Sequence, residues 1–165
     1  MSGTQFSRQE GIIMEDLVQK ANKVLMHTYN SIPLSLVSGN GCYVKDNMGK
    51  EYLDFIGGIA VNALGYNHKG FNSDVKKQLE KIIHFSNLFL NEKQIELGEV
   101  LTLNSHFDKA FFCNSGTEAV EAAIKLAKKI GKLHKKGAWK IIAMNQSFHG
   151  RTSGSLSLTG QKKYQ

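Results

Sequence analysis

The apolar positions divide the chain into segments of different period. Between Gln9 and Tyr29, Ile13, Leu17, Ala21, Val24 and Leu25 recur at helical spacing among polar residues, which predicts an amphipathic helix. Beyond Pro33 the pattern shortens to LSLV, CYVKD and EYLDF, separated by the turn-forming runs Ser38-Gly39-Asn40-Gly41 and Asp46-Asn47-Met48-Gly49. Three strands of a small antiparallel meander are expected there. Gly57 to Gly65 is apolar, dotted with glycine and lacks either period, which points to a backbone lying close to another part of the structure. A helix bearing Val75, Leu79, Ile82 and Ile83 follows, capped by Asn72 or Ser73, and another spans Glu92 to Leu103.

The most ordered pattern begins at Lys109. AFFC suits a short buried strand and Asn114-Ser115-Gly116 a turn. Thr117 to Leu133 is a helix with Val120, Ile124, Ala127 and Ile130 on one side, and WKIIAM, from Trp139, is a second buried strand. Strand, helix and strand in so short a span read as a right-handed crossover of a parallel sheet. The expected class is therefore α/β. Residues 1–62 form an N-terminal helix and meander, and residues 63–165 begin a second domain with the first crossover units of a mostly parallel sheet.

Composition narrows the function. With 165 residues, 41% hydrophobic and 21% charged, the chain is an ordinary globular one, neither collagen-like nor largely disordered. No apolar run approaches a membrane span, and MSGTQFSRQE lacks the apolar centre of a secretory signal, so a cytoplasmic protein without a membrane partner is expected. Cys42 and Cys113 form no C-x-x-C pair and are expected as buried, reduced thiols. The six histidines show no ligand spacing, and no metal is assigned. The net charge is +7. Lys125, Lys128, Lys129, Lys132 and Lys136 would form a stripe, but without interleaved aromatics it reads as the solvated face of a helix, and nucleic acid is not expected as a partner. Arginine stands only at positions 8 and 151.

Two loops carry the candidate chemistry. Ser115-Gly116-Thr117 opens a helix after a strand, where unpaired backbone amides and the positive end of the helix dipole suit a phosphate. An ordinary N-cap explains the same residues, and on the pattern alone is the commoner outcome. The second loop, Ser147-Phe148-His149-Gly150-Arg151, follows the next strand. In open parallel sheets ligands gather outside the carboxyl ends of strands, so the two loops are expected to be neighbours. Phe148 suits stacking on a flat ring and Arg151 a bidentate grip on a carboxylate, although a core phenylalanine and a solvated arginine fit the loop too. An arginine in a chain that otherwise uses lysine favours the ligand role, because the planar fork has no good lysine substitute.

FFCNSGTEAVEAAIKLAKK followed by SFHGRTSGSLSLTGQKKY closely resembles the class III aminotransferases, fold-type I pyridoxal-phosphate enzymes, in the subgroup that contains the acetylornithine aminotransferases. HTYNSIPL, GCYVKDNMGKEYLDF and GIAVNALG resemble the N-terminal region of that subgroup, so the likeness runs from about Leu25 to Tyr164. The resemblance implies that Ser115, Gly116 and Thr117 hold the phosphate of pyridoxal 5'-phosphate, that Phe148 stacks on its ring and that Arg151 binds the substrate α-carboxylate. It further implies transamination between N-acetylornithine and 2-oxoglutarate in arginine biosynthesis, by a homodimer. Gly58 and Ile59 stand where the ornithine-specific relatives carry a tyrosine, which favours acetylornithine. Ser31 replaces a usual arginine, and Leu64-Gly65-Tyr66-Asn67-His68-Lys69 departs from the usual L-G-H-x-H-P. Other class III donors (ornithine, succinyldiaminopimelate, 4-aminobutyrate) therefore stay open, as does a non-catalytic anion-binding role. The lysine that forms the Schiff base with the cofactor is expected downstream of Gln165. No catalytic residue is thus assigned in the chain, which is expected to be an inactive front portion of the enzyme with exposed apolar surface.

Overall fold

A computed structural model describes residues 3–164, and side chains from residue 14 onward. The chain packs as two compact units, Met1–Phe85 and Ser86–Gln165. In the first unit, helix α1 (Gly3–Val24) ends before the predicted limit at Tyr29, with Leu25 making the last helical bond to the Ala21 carbonyl at 2.9 Å. Of its predicted apolar stripe, the Ile13 side chain lies outside the described residues. The second half of α1 and the segment up to Ser35 enclose an open groove of about 860 Å³, lined by Leu17, Val18, Leu25, Tyr29 and Leu34 among others. None of the predicted site residues lines it.

The meander forms as expected. Strands β1 (Leu36–Asn40), β2 (Tyr43–Asp46) and β3 (Glu51–Leu53) pair antiparallel in chain order, with a bulge between Leu36 and Ser38. Ser38 to Asn40 were expected in a turn and instead extend β1, and the reversal occurs one step later at Gly41, whose φ is +57°. Asp46 builds the second reversal: its carboxylate accepts the amides of Met48 and Lys50, both at 2.9 Å, and the Tyr52 hydroxyl at 2.8 Å. Burial acts to raise the Asp46 pKa, but these hydrogen bonds and the Lys50 charge outweigh it and hold the carboxyl below its ordinary value.

The glycine-dotted segment folds back on the meander, as its composition implies. Gly41 and Tyr66 exchange backbone hydrogen bonds of 2.9 and 2.8 Å, and a β-carbon on Gly65 would lie 2.7 Å from the Gly41 carbonyl oxygen. Asp54 ties the two ends together by accepting the Tyr66 hydroxyl at 2.7 Å and the amides of Ile56 and Gly57 at 2.8 and 3.0 Å. The Tyr66 bond, then those of Gly57 and Ile56, keep the Asp54 carboxyl below its usual range. Between them α2 (Gly57–Ala60) has four successive positive φ angles of 55°, 64°, 61° and 62°. At the non-glycine positions Ile59 and Ala60 this handedness costs roughly 1–2 kcal/mol each.

Helix α3 (Lys69–Leu79) starts four or five residues earlier than expected, because its cap is His68, whose Nδ1 accepts the Phe71 amide at 3.1 Å, and not Asn72 or Ser73. Ile82 and Ile83 fall beyond its end. In the second unit α4 (Glu92–Leu103) matches its expected span, capped by Asn91, and α5 (Gly116–His134) is followed by α6 (Ser153–Leu158) and a single 3₁₀ turn η1 (Lys162–Tyr164).

The expected strands AFFC and WKIIAM are not strands here: among the described residues neither segment pairs with a neighbouring strand, and a ladder needs one. Their apolar side chains stay open, Phe111 at 70% and Ile142 at 94% exposure. The return of the chain along α5 is nevertheless built. The Ala138 carbonyl occupies the place a side chain would take on Gly131, which is the buried residue of that helix. Val44, 5% exposed, is the one buried large apolar side chain among the described residues. With so little interior, Cys42 and Cys113 are exposed rather than buried; both are free thiols. No described helix is long and apolar enough to cross a membrane.

The Gly65 contact is directly testable. Gly65→Ala sets a methyl against the Gly41 carbonyl at a φ of +73°, and is expected to lower stability by about 1–3 kcal/mol. The readout is the urea midpoint; an unchanged midpoint would show that the close approach is not made.

Candidate active site

Both candidate loops belong to the second unit. Ser115 is the N-cap of α5, its hydroxyl accepting the Glu118 amide at 3.2 Å. The ordinary capping role is thus realised, and the hydroxyl hydrogen is left to donate. Glu118 turns back over the Asn114 amide at 2.6 Å. Among the described residues the amides of Gly116 and Thr117 and the Thr117 hydroxyl have no hydrogen-bond partner, and the space beyond Gly116 is open for 4 Å. Two unpaired amides at the positive end of a helix, with two adjacent hydroxyls, make a donor set that fits a phosphate group.

The second loop is held by polar contacts rather than by an apolar core. Thr159 and Ser155 are fully buried. The Thr159 hydroxyl accepts the His149 amide at 3.1 Å and donates to the Ser155 carbonyl at 3.2 Å, while Ser155 Oγ accepts the Thr152 amide at 3.1 Å. Gln146 and Ser147 exchange backbone bonds with Gly160 at 3.1 and 3.0 Å. These bonds close residues 146–160 into a compact loop and helix that present Phe148, 54% exposed, and Arg151, also exposed, on its outer side.

The two loops meet at Gly150. A β-carbon there would overlap the Thr117 hydroxyl and lie 2.6 Å from Ser155 Oγ, and the φ of +129° also favours glycine. Thr117 and the backbone between Phe148 and Arg151 are therefore in contact, as expected, although the strands from which that expectation was drawn are not formed among the described residues. A carboxylate secures the junction: Glu121, on the second turn of α5, accepts the Thr152 hydroxyl and the amides of Gly154 at 2.9 Å and Ser155 at 3.0 Å. Gly154 is part of the fit, since a β-carbon on it would sit 2.8 Å from the Glu121 carboxyl carbon. The Thr152 and Ser155 bonds lower the Glu121 pKa, with Gly154 and the Lys128 charge adding to them against burial. One carboxylate thus caps α6 and fastens it to α5.

Glu121 was not visible in the sequence as a site residue, because its partners lie 31 to 34 residues away and no periodicity signals such a link. Tyr164 was missed as well. Its ring meets Phe148 edge-on, at 5.8 Å and 66°, and carries the Arg151 guanidinium 5.2 Å from its centre. Lys163, by its hydrogen bond and charge, and then Arg151 hold the Tyr164 hydroxyl below its ordinary pKa, against burial. Among the described residues no group of three or more potential metal ligands is assembled.

Residues 24–165 match the family model for class-III aminotransferases. The chain belongs to the class-III aminotransferases. Among curated relatives, the acetylornithine aminotransferase of Caldanaerobacter subterraneus is 52% identical over 149 residues, 90% of this chain and 38% of that protein. The one from Aquifex aeolicus is 50% identical over 143 residues, 85% and 38% of the two chains. The solved omega transaminase of Pseudomonas jessenii in complex with PMP aligns with a TM-score of 0.80 at 29% identity, covering 89% of this chain and 35% of that one. The architecture is that of the fold-type I transaminases, and the chain spans a little over a third of the length of these class-III aminotransferases. The family uses pyridoxal 5'-phosphate.

Two outcomes follow from the junction. Gly150→Ala is expected to separate the loops and to cost about 1–3 kcal/mol, read by denaturant titration; no loss would mean that they are not in contact. The Glu121 link is complete above the ordinary glutamate pKa and is lost as the pH falls through the lower value of the folded state. Glu121→Gln should therefore flatten the acid limb of the stability profile. Identical acid limbs for parent and variant would deny the charge its role.

Proposed function

We propose that this chain is the N-terminal portion of a pyridoxal-phosphate aminotransferase that moves an amino group from N-acetylornithine to 2-oxoglutarate in arginine biosynthesis. The observation that carries this reading is the contact of Thr117 with Gly150, which joins a phosphate-ready helix start to a loop bearing an aromatic ring and an arginine. In this assignment the amides of Gly116 and Thr117 and the hydroxyls of Ser115 and Thr117 hold the cofactor phosphate. Phe148 lies against the pyridine ring and fixes its plane, while Arg151 receives the substrate carboxylate in two parallel hydrogen bonds.

Bound there, the cofactor supplies the electron-withdrawing ring on which amino-group exchange depends. The residues of this chain contribute binding and orientation. The helix start opposes the phosphate charge, worth roughly 0.3–2 kcal/mol for the dipole alone, and Glu121 keeps the second loop in register with it. The donor assignment rests on relatives at about 50% identity that carry the acetylornithine name. Residues 1–62 are assigned to the small domain and 63–165 to the start of the large one. A cytoplasmic homodimer completes the reading.

Proton transfer and covalent attachment fall to residues outside this chain in this assignment, so the 165 residues alone are expected to form no glutamate. A coupled glutamate assay on the purified chain, with cofactor absorbance followed in parallel, tests this, and turnover would overturn it. In the full-length enzyme, Arg151→Lys is expected to reduce kcat/KM at least about ten-fold while cofactor retention stays near that of the parent. Equal kinetics would remove Arg151 from the carboxylate site.

A further inference from the structure

A guanidinium that must present a planar fork to a carboxylate gains affinity when its direction is fixed before binding. Arg151 is exposed at the end of its loop, and Tyr164 is among the residues placed to hold it. The Arg151 guanidinium lies over the Tyr164 ring at 5.2 Å, within cation–π range, and the same ring meets Phe148 at 5.8 Å. One tyrosine thus touches both side chains that the proposed function sets against the cofactor ring and the substrate.

Tyr164 does not reach this position as part of a loose tail. Gly160 is locked to the loop by its paired backbone bonds with Gln146 and Ser147, and Gln161 Nε2 donates to the Gln146 carbonyl at 3.1 Å. The Tyr164 amide then donates to the Gln161 carbonyl at 3.0 Å, closing the turn η1. The ring is therefore carried by the backbone that also carries Phe148, and its orientation is coupled to theirs. Lys163, 4.6 Å from the ring centre, adds a second positive charge beside Arg151.

From these contacts we infer that Tyr164 is a positioning residue, which stacks under the Arg151 guanidinium and beside Phe148 and so sets the direction from which a substrate carboxylate is gripped. The inference rests on the carboxylate role proposed for Arg151. It assigns the larger effect to the face of the ring, which phenylalanine keeps and an aliphatic residue loses, and the smaller to the hydroxyl, on which Lys163 and Arg151 also act.

The test is steady-state kinetics of the full-length holoenzyme with Tyr164→Ala, Tyr164→Leu and Tyr164→Phe, using N-acetylornithine and 2-oxoglutarate. For the alanine and leucine variants KM for both substrates is expected to rise about three- to ten-fold, with kcat and cofactor absorbance within about two-fold of the parent. Tyr164→Phe should restore both KM values to within about two-fold of the parent. If Tyr164→Ala fails to retain cofactor, the leucine variant, which keeps bulk without a ring, is read in its place. Unchanged KM in the aliphatic variants, or a phenylalanine variant as impaired as alanine, would overturn the inference. Arg151→Lys in parallel separates the two claims. A raised KM there with unchanged aliphatic Tyr164 variants refutes only the positioning role, whereas an unchanged KM for Arg151→Lys refutes the carboxylate reading and this inference with it.

Discussion

A single carboxylate on the second turn of α5 receives a hydroxyl and two amides from the start of α6, and the rest of the candidate site hangs on that link. Without Glu121, the amides of Gly154 and Ser155 would lose their acceptor, and the loop ahead of α6 would lose its tie to α5. With it, Thr117 and Gly150 come into contact, and no side chain larger than hydrogen fits at position 150. The loop interior is accordingly polar. Ser155 and Thr159 occupy it with every hydroxyl bonded, which gives a defined geometry in a unit that buries little apolar surface.

The same economy governs the first unit. Asp46 and Asp54 each gather two backbone amides and a tyrosine hydroxyl, and these two carboxylates shape the meander and its return segment more than Val44 does. Tyr66 stands where relatives were expected to carry histidine, and its hydroxyl bond to Asp54 gives the exchange a structural meaning. His68, two positions on, caps α3. These departures from the expected motif are absorbed as local hydrogen bonding in this unit.

What the sequence made legible followed from local rules. Helical period located α4 and α5, alternation and turn residues located the meander, and a run of small polar residues at a helix start located the phosphate-ready amides. Signals that act over longer distance were not legible. Glu121 sits beside the apolar stripe of α5 like any surface glutamate until α6 is brought against it, and Tyr164 is an ordinary tyrosine among lysines until the loop closes. Capping of α3 by His68 was missed because Asn72 and Ser73 are stronger caps by type. AFFC and WKIIAM carry strand composition, but a ladder is a property of two segments, and neither has a strand partner among the described residues. The expectation of buried cysteines failed for a related reason: burial requires an interior, and composition alone does not say where one forms.

On the proposed assignment, the start of α5 and the Phe148–Arg151 loop together make one cofactor site. A crystal structure of the full-length protein with pyridoxal 5'-phosphate bound tests this. Phosphate oxygens are expected within hydrogen-bond distance of the Gly116 and Thr117 amides, with the pyridine ring lying on Phe148. A cofactor whose phosphate lies away from those amides, or whose ring has no contact with Phe148, would contradict it.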